Sequence, residues 1–239
     1  MIPARKPLGR KAYGSIGHLP GSRRGPGDHH VPAGQAIICT EKVRDSHDTV
    51  IVQEKLDGSA CAVARLEDDS IVALGRAGYL AQTSKYEQHQ LFASWMRARE
   101  ALFRRLLTRG ERAVGEWLAQ AHGTRYRIQP GRAPFAIFDL MVAEERKRWE
   151  EVRDRVDAVG LPRPWTAYCG PNPISVADAL AAVMKRNDFG AVDLVEGAVW
   201  RVERYGRVDF LAKYVRPEKV DGRYLPEISG AAPVWNWRP

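Results

Sequence analysis

The first strong apolar run, Val50, Ile51 and Val52, reads as a strand over residues 49–54 entering a core. Cys61 to Ala64 then open a hairpin, "ACAVARLE", the turn "DDS" and "IVALGRA". In "YEQHQLFASWMRAREALFRRLL", Leu91, Trp95, Leu102 and Leu106 recur at helical spacing, which predicts one amphipathic helix with an arginine-rich outer face. "RAVGEWLA" and "PFAIFDLMV" read as strands joined by the polar loop "QAHGTRYRIQPGR". "EERKRWEEVRDRVDAVG" is a charged helix stopped by Gly160 and Pro162, and "SVADALAAVMKR" is a helix whose Ser175 and Asp178 are spaced as a capping box. Two closing strands, "LVEGAVWRVERYG" and "RVDFLAKYVRP", turn at Tyr205–Gly206. Strands outnumber helices and follow one another in hairpins, so the expected class is α+β with largely antiparallel sheets. A single domain is expected over 1–239, with 1–35 an irregular, basic, Gly- and Pro-rich N-terminal arm and 218–239 a short C-terminal tail.

Four of these strands carry an ionisable residue where the pattern calls for an apolar one. They are Lys55 after "VIVQE", Glu116 in "VGEWL", Glu196 in "LVEGAV" and Lys213 in "FLAKYV". Each alone is an ordinary rim charge. Two cations and two anions at strand ends suggest strands converging on a polar cleft.

Charge and cysteine content narrow the setting. The formal net charge of +8 favours a polyanionic partner, nucleic acid above all. Cys39, Cys61 and Cys169 are odd in number and far apart, without a CxxC, which argues against a disulfide framework or zinc and for a reducing cytosol. The chain has no apolar run long enough to suggest a membrane span, and "MIPARKPLGRKAYGS" lacks the apolar stretch of a secretory signal. The stretch "HLPGSRRGPGDHH" lacks the Gly-Lys-Ser/Thr of a P-loop, and His29–His30 lack an evident third metal ligand.

Taken in order, the motifs resemble the covalent nucleotidyltransferase superfamily of ATP-dependent ligases and capping enzymes. "EKLDGS" is similar to its Lys-x-Asp-Gly nucleophile motif, and "GEWL", "FAIFD", "VEGAV" and "LAKYV" follow in the order of its later motifs. Within the superfamily the likeness is to RNA ligases, carried by "GEW" with the His-containing loop "LAQAHGTRY" and by the opening "SIGHLPGSRRGPGD". The resemblance spans roughly residues 14–217. It implies a nucleotidyltransferase (ATP-grasp-like) fold, with flanking helices around a central nucleotide cleft.

The resemblance also implies a role for each residue. Lys55 attacks the α-phosphate of ATP to form lysyl-AMP, Glu196 holds Mg²⁺ or Mn²⁺ with Asp57 in the metal shell, and Lys213 contacts the α-phosphate. Glu54, Gly58, Arg76, Glu116 and Phe138 complete the nucleotide site: Glu116 on the ribose, Phe138 stacked on adenine with Phe135 as the alternative, and Arg76 at the sugar or the nucleic-acid end. Arg23, Arg24 and Arg216 are candidates for RNA or phosphate contact. Relatives often show Lys-x-Lys in the last motif; here Val215 stands at the second position and Arg216 is one residue off. A free lysine is neutral in only about one molecule in a thousand at pH 7.5, so attack requires a lowered pKa. Burial, Lys213, Arg76 and a bound metal are expected to lower it.

The implied partners are RNA ends bearing a 5′-phosphate and a 3′-hydroxyl, with a nicked duplex as one candidate setting, and an end-healing kinase/phosphatase, with no membrane. The last motif ends near Pro217, which leaves too few residues for the OB module of DNA ligases and capping enzymes. The competing possibilities are such an enzyme, or an idle nucleic-acid-binding module of the same fold.

Overall fold

The computed structural model describes residues 6–239; the first five residues of the expected N-terminal arm lie outside them. In chain order the elements are β1 (Gly17–His18), α1 (Ala33–Thr40), β2 (Asp48–Lys55), β3 (Ser59–Arg65), β4 (Ile71–Gly75), α2 (Glu87–Arg97), α3 (Glu100–Leu106), β5 (Glu111–Trp117), β6 (Phe135–Val142), β7 (Glu145–Arg146), α4 (Trp149–Ala158), β8 (Thr166–Gly170), α5 (Val176–Met184), β9 (Gly197–Arg204), β10 (Arg207–Val215) and α6 (Pro226–Ser229). The strands form two five-stranded sheets, β1-β10-β9-β2-β8 and β4-β3-β5-β6-β7. Every pairing is antiparallel except β1 with β10, so the expected α+β class with largely antiparallel sheets is what the chain adopts.

The alternation of β2 decides which side chains meet which core. Val50 and Val52 pack with Cys39 of α1 and Val183 of α5 behind the first sheet, whereas Ile51 joins the core of the second. That second core is aromatic: Phe92 and Trp95 of α2, Phe103 of α3 and Trp117 of β5 surround Phe135 of β6, with Phe92 and Phe135 centred 4.9 Å apart. Each such side chain contributes about 1.5–3 kcal/mol on burial.

The single helix expected over this stretch is two. The break falls at Ala98–Arg99, where the Arg99 amide bonds back to Met96 and its guanidinium lies 4.7 Å over the Trp95 ring. Bending there lets Trp95 and Phe103 both reach Phe135, at 5.9 and 6.5 Å, instead of diverging along a straight axis. The charged helix starts later than its pattern suggests, because Glu145–Arg146 pair with β6 as a strand. Ser175 does cap α5, its hydroxyl accepting from the Asp178 amide at 3.1 Å. Tyr205 and Gly206 both take positive φ, the hairpin geometry that joins β9 and β10.

The arm is irregular along most of its length, yet β1 is hydrogen-bonded in parallel to Ala212 and Lys213. Residues 218–239 are pinned down: Asn236 bonds to Tyr126 and Leu118, and Trp237 packs edge-on against Trp117 at 5.9 Å. Among the described residues no helix is long and apolar enough to cross a membrane.

A buried polar bridge joins the two sheets. Arg201 of β9 donates to Asp139 of β6 at 2.7 Å, and the same carboxylate accepts from Tyr13 at 2.7 Å and Arg146 at 3.1 Å. Neither Arg201 nor Asp139 has appreciable access to water. Removing one partner would strand the other's charge, so Asp139→Asn is expected to cost about 3 kcal/mol of stability. Equilibrium urea unfolding measures this, and a loss below about 1 kcal/mol would show that the bridge does not hold the seam.

Candidate active site

β2 ends in the first sheet and β3 begins in the second, so the three residues between them, Leu56, Asp57 and Gly58, cross the mouth of the seam. A cleft of about 750 Å³ opens at that crossing and is lined by both sheets. Register then gathers the charged interruptions. Lys55 lies opposite Gly197, next to Glu196; Lys213 lies opposite Val199 on the same face; and in the second sheet Glu116 of β5 lies opposite Ala60 of β3. Lys55, Glu116, Glu196 and Lys213 all line the cleft, together with Asp57, Gly58, Arg76 and Phe138.

The centre of the cleft is an ion pair. Lys55 Nζ donates to Glu196 Oε2 at 2.6 Å, with only 21% of its side chain exposed and 9% of that of Glu196. Burial alone would lower the lysine pKa, but Glu196, with Glu116 and Asp57 behind it, outweighs burial and holds the amine above the ordinary lysine range. The expected lowering is therefore not a property of the ligand-free protein. Desolvation is the largest single influence on Lys55, and the three carboxylates together exceed it.

Burial raises Glu116 to about 8 against the pull of Lys55, while its Oε1 accepts from the Gly58 amide at 3.0 Å. Gly58 is needed for space, because a Cβ there would stand 2.4 Å from the Trp117 carbonyl oxygen. Lys213 is pushed below the usual lysine range, first by burial and then by Lys55, and Asp28 sits 3.7 Å from its Nζ. Phe138 borders the cleft and meets Tyr13 edge-on, whereas Phe135 is wholly inside the aromatic core; of the two aromatic candidates only Phe138 is available to a ligand.

Two expectations are corrected, for Arg216 and Arg23, and two are refined, for Glu54 and Asp57. Glu54 borders the cleft as expected, but the alternation of β2 turns its side chain to the face of Val50 and Val52, away from Lys55, where burial, reinforced by Asp188, raises it to about 7. Arg216 is buried and spent on the Val195 carbonyl at 2.6 Å and on Glu218 at 2.8 Å, so it is not available to phosphate. Arg23 ties the arm to the C-terminal segment through Asp221 and the Lys219 carbonyl, leaving only Arg24 exposed in that pair. Asp57 borders the cleft, and its Oδ2 is held by the Gly123 and Thr124 amides and by Lys219.

Tyr126 and Lys219 escaped the sequence argument. The Tyr126 hydroxyl accepts from the Asp57 amide at 2.9 Å, and Lys219 lies beyond the last motif, where no periodicity marks it.

A family model described as RNA ligase matches residues 48–215. The chain belongs to the RNA ligase family. That span contains the crossing loop, both sheet halves of the cleft and every charged interruption from Lys55 to Lys213. Three solved structures of Naegleria gruberi RNA ligase share the fold. A mutant with ATP and Mn is 18% identical, covering 71% of this chain and 50% of that one, with a TM-score of 0.52. The ligase with PPi is 18% identical over 97% and 64%, with a TM-score of 0.51. An apo mutant is 15% identical over 97% and 64%, with a TM-score of 0.53. This family member spans half to just under two thirds of those chains. No curated protein matches it in sequence.

If the carboxylates keep the amine protonated, removing the nearest must free it. Glu196→Gln is expected to make Lys55 at least tenfold more reactive toward an acylating reagent at pH 8, read by mass spectrometry. Unchanged reactivity would show that the ion pair does not control the amine.

Proposed function

We propose that this chain is an ATP-dependent RNA ligase that works through lysyl-AMP. The observation that carries this reading is a lone lysine at the end of a buried strand, paired with a carboxylate, in a cleft that also offers an aromatic face and a second cation. Phe138 gives the adenine an apolar surface, and Glu116 on its rigid strand accepts from the ribose hydroxyls. Lys213 offsets negative charge on the α-phosphate, and Arg76 reaches the sugar or the RNA end.

Lys55 Nζ, once neutral, forms a bond to the α-phosphorus, and the bond from that phosphorus to pyrophosphate breaks. Glu196 at 2.6 Å takes the proton that the ammonium must lose first; its own pKa is raised by burial, against the pull of Lys55, which suits it to receive one. AMP then passes from Lys55 to the 5′-phosphate of an RNA strand, freeing the lysine. A 3′-hydroxyl attacks that activated phosphate, closing the phosphodiester and releasing AMP.

Among the described residues no three acidic, histidine or cysteine side chains gather to hold a metal. Two cleft carboxylates, Glu196 and Glu116, still suit Mg²⁺ or Mn²⁺ in the manner of hard cations bound by one or two carboxylates and substrate phosphates. When bound, such an ion would supply positive charge beside the α-phosphate and the departing pyrophosphate. Without a ligand, Glu196 keeps Lys55 paired as the ammonium. The Naegleria gruberi structure with ATP and Mn supports this choice.

Nicked duplex RNA is a suitable substrate class, and an end-healing kinase/phosphatase is the kind of partner that would supply matched ends. The unpaired Cys39, Cys61 and Cys169 suit a reducing, cytosolic setting.

Incubation with ATP and Mn²⁺ is expected to add one AMP to Lys55, seen by mass spectrometry, with no adduct in Lys55→Ala. Adduct formation should rise with pH between 7 and 9, because the amine starts protonated and each unit exposes tenfold more nucleophile. A wild-type protein that takes no AMP, or takes label from GTP alone, overturns the assignment.

A further inference from the structure

We propose that Tyr79 and Tyr86 form a stacking platform at the mouth of the cleft for the terminal base of the RNA strand that carries the 5′-phosphate. This rests on the ligase reading above and adds to it a place for RNA beside the nucleotide pocket.

Among the described residues three tyrosines stand exposed: Tyr79, Tyr86 and Tyr205. Tyr205 lies in the β9–β10 hairpin with its ring against His47, whereas Tyr79 and Tyr86, 42% and 39% exposed, both border the cleft. Two large rings left in water beside a cavity mark a surface that a partner can cover. Each carries a cation: Lys6 Nζ lies 4.5 Å from the Tyr79 ring centroid, and Lys85 Nζ lies 5.0 Å from that of Tyr86. Arg76, also exposed, borders the same mouth, and Glu87, the acid next to Tyr86, is paired with Arg238 at 3.0 Å. Aromatic faces flanked by cations suit the bases and phosphates of an RNA strand. A lysine over an exposed ring is held weakly, so an incoming base can displace it toward the phosphate that follows.

The rings are mounted on fixed backbone. The Tyr79 carbonyl accepts from the Gly75 amide at 3.0 Å, and the Gly78 amide donates to the Gly75 carbonyl at 2.8 Å. Gly78 takes a φ of 89°, and a Cβ there would collide with the Arg10 carbonyl oxygen. Between the two tyrosines, Ala81 is buried in the aromatic core. The Tyr86 ring meets His89 edge-on at 5.7 Å, and that imidazole is held between the Ser59 hydroxyl at 2.7 Å and the Ser84 hydroxyl at 2.9 Å. Ser59 directly follows the crossing loop, so the platform is braced from the segment that carries Lys55. On the other side the Arg76 carbonyl accepts from the Ala12 and Tyr13 amides at 3.0 and 3.3 Å, and the Tyr13 ring meets Phe138 at 5.2 Å. The rim is thereby joined both to the lysine and to the ring proposed for adenine. A 5′-phosphate that enters from the mouth toward Lys55 brings its own base to this rim, from a free strand or from a nick whose end nucleotide has left the stack.

The test is the affinity of the full chain for a short 5′-phosphorylated single-stranded RNA, read by fluorescence anisotropy without ATP, against the same strand with an abasic first nucleotide. Wild-type protein is expected to bind the intact strand about fivefold more tightly or better. The Tyr79→Ala/Tyr86→Ala double variant should bind the intact strand more weakly and no longer distinguish the two, because ring and base act only through each other. The Tyr79→Phe/Tyr86→Phe double variant should keep the preference. Near-UV circular dichroism checks folding, and if the double alanine variant is not folded, the single variants decide, each expected to lose part of the preference. Equal binding of both strands by wild-type protein, or a full preference in the alanine variants, overturns the proposal. If wild-type protein takes no AMP from ATP, the ligase reading fails instead; if it takes AMP and the preference is absent or unmoved, only the platform does.

Discussion

An ionised side chain removed from water needs an opposite charge and hydrogen bonds close enough to offset lost hydration. This protein meets that condition repeatedly where its two sheets come together. Arg201 and Asp139 meet it deep in the seam, with no exposure and a full set of partners, and there the result is rigid. Lys55 and Glu196 meet it at the mouth, with a cleft on one side, and there the pairing is open to a substrate. The same physics yields a rivet in one place and a poised group in the other. Solvent access and the presence of a cavity make the difference.

The poised state is the more informative of the two. In the proposed reaction, an amine stored as an ammonium against a carboxylate is stable and unreactive until the bound nucleotide and its metal rearrange the field. Catalytic competence then depends on how many carboxylates act on Lys55 and how well each is compensated. Glu116 is partly discharged by its own burial, and Asp57 is paired with Lys219, so the balance at the amine is set by residues on five separate chain segments.

Much of this was legible in order along the chain. The strands β2, β3, β5, β6, β9 and β10 follow from β-branched runs and turn chemistry, and the charged interruptions stood out because an apolar pattern makes an ion conspicuous. The break between α2 and α3 was not legible, since a helical period does not register a bend whose only reason is that Trp95 and Phe103 must reach one ring. The direction of the Glu54 side chain was not legible either: adjacency to Lys55 in sequence is opposition across a strand, so Glu54 borders the cleft with its carboxylate turned away from Lys55. Arg216 looked free because its buried partner, the Val195 carbonyl, comes near only when β9 and β10 pair.

By itself the sequence determined the kinds of element, the order of the motifs and the lysine proposed as nucleophile, because these depend on local propensity and on residue chemistry read one position at a time. The tertiary structure decided the protonation of Lys55, the choice of Phe138 over Phe135 and the partnership of Lys219 with Asp57. Those depend on distances between segments up to 162 residues apart, through fields and packing that no local pattern carries.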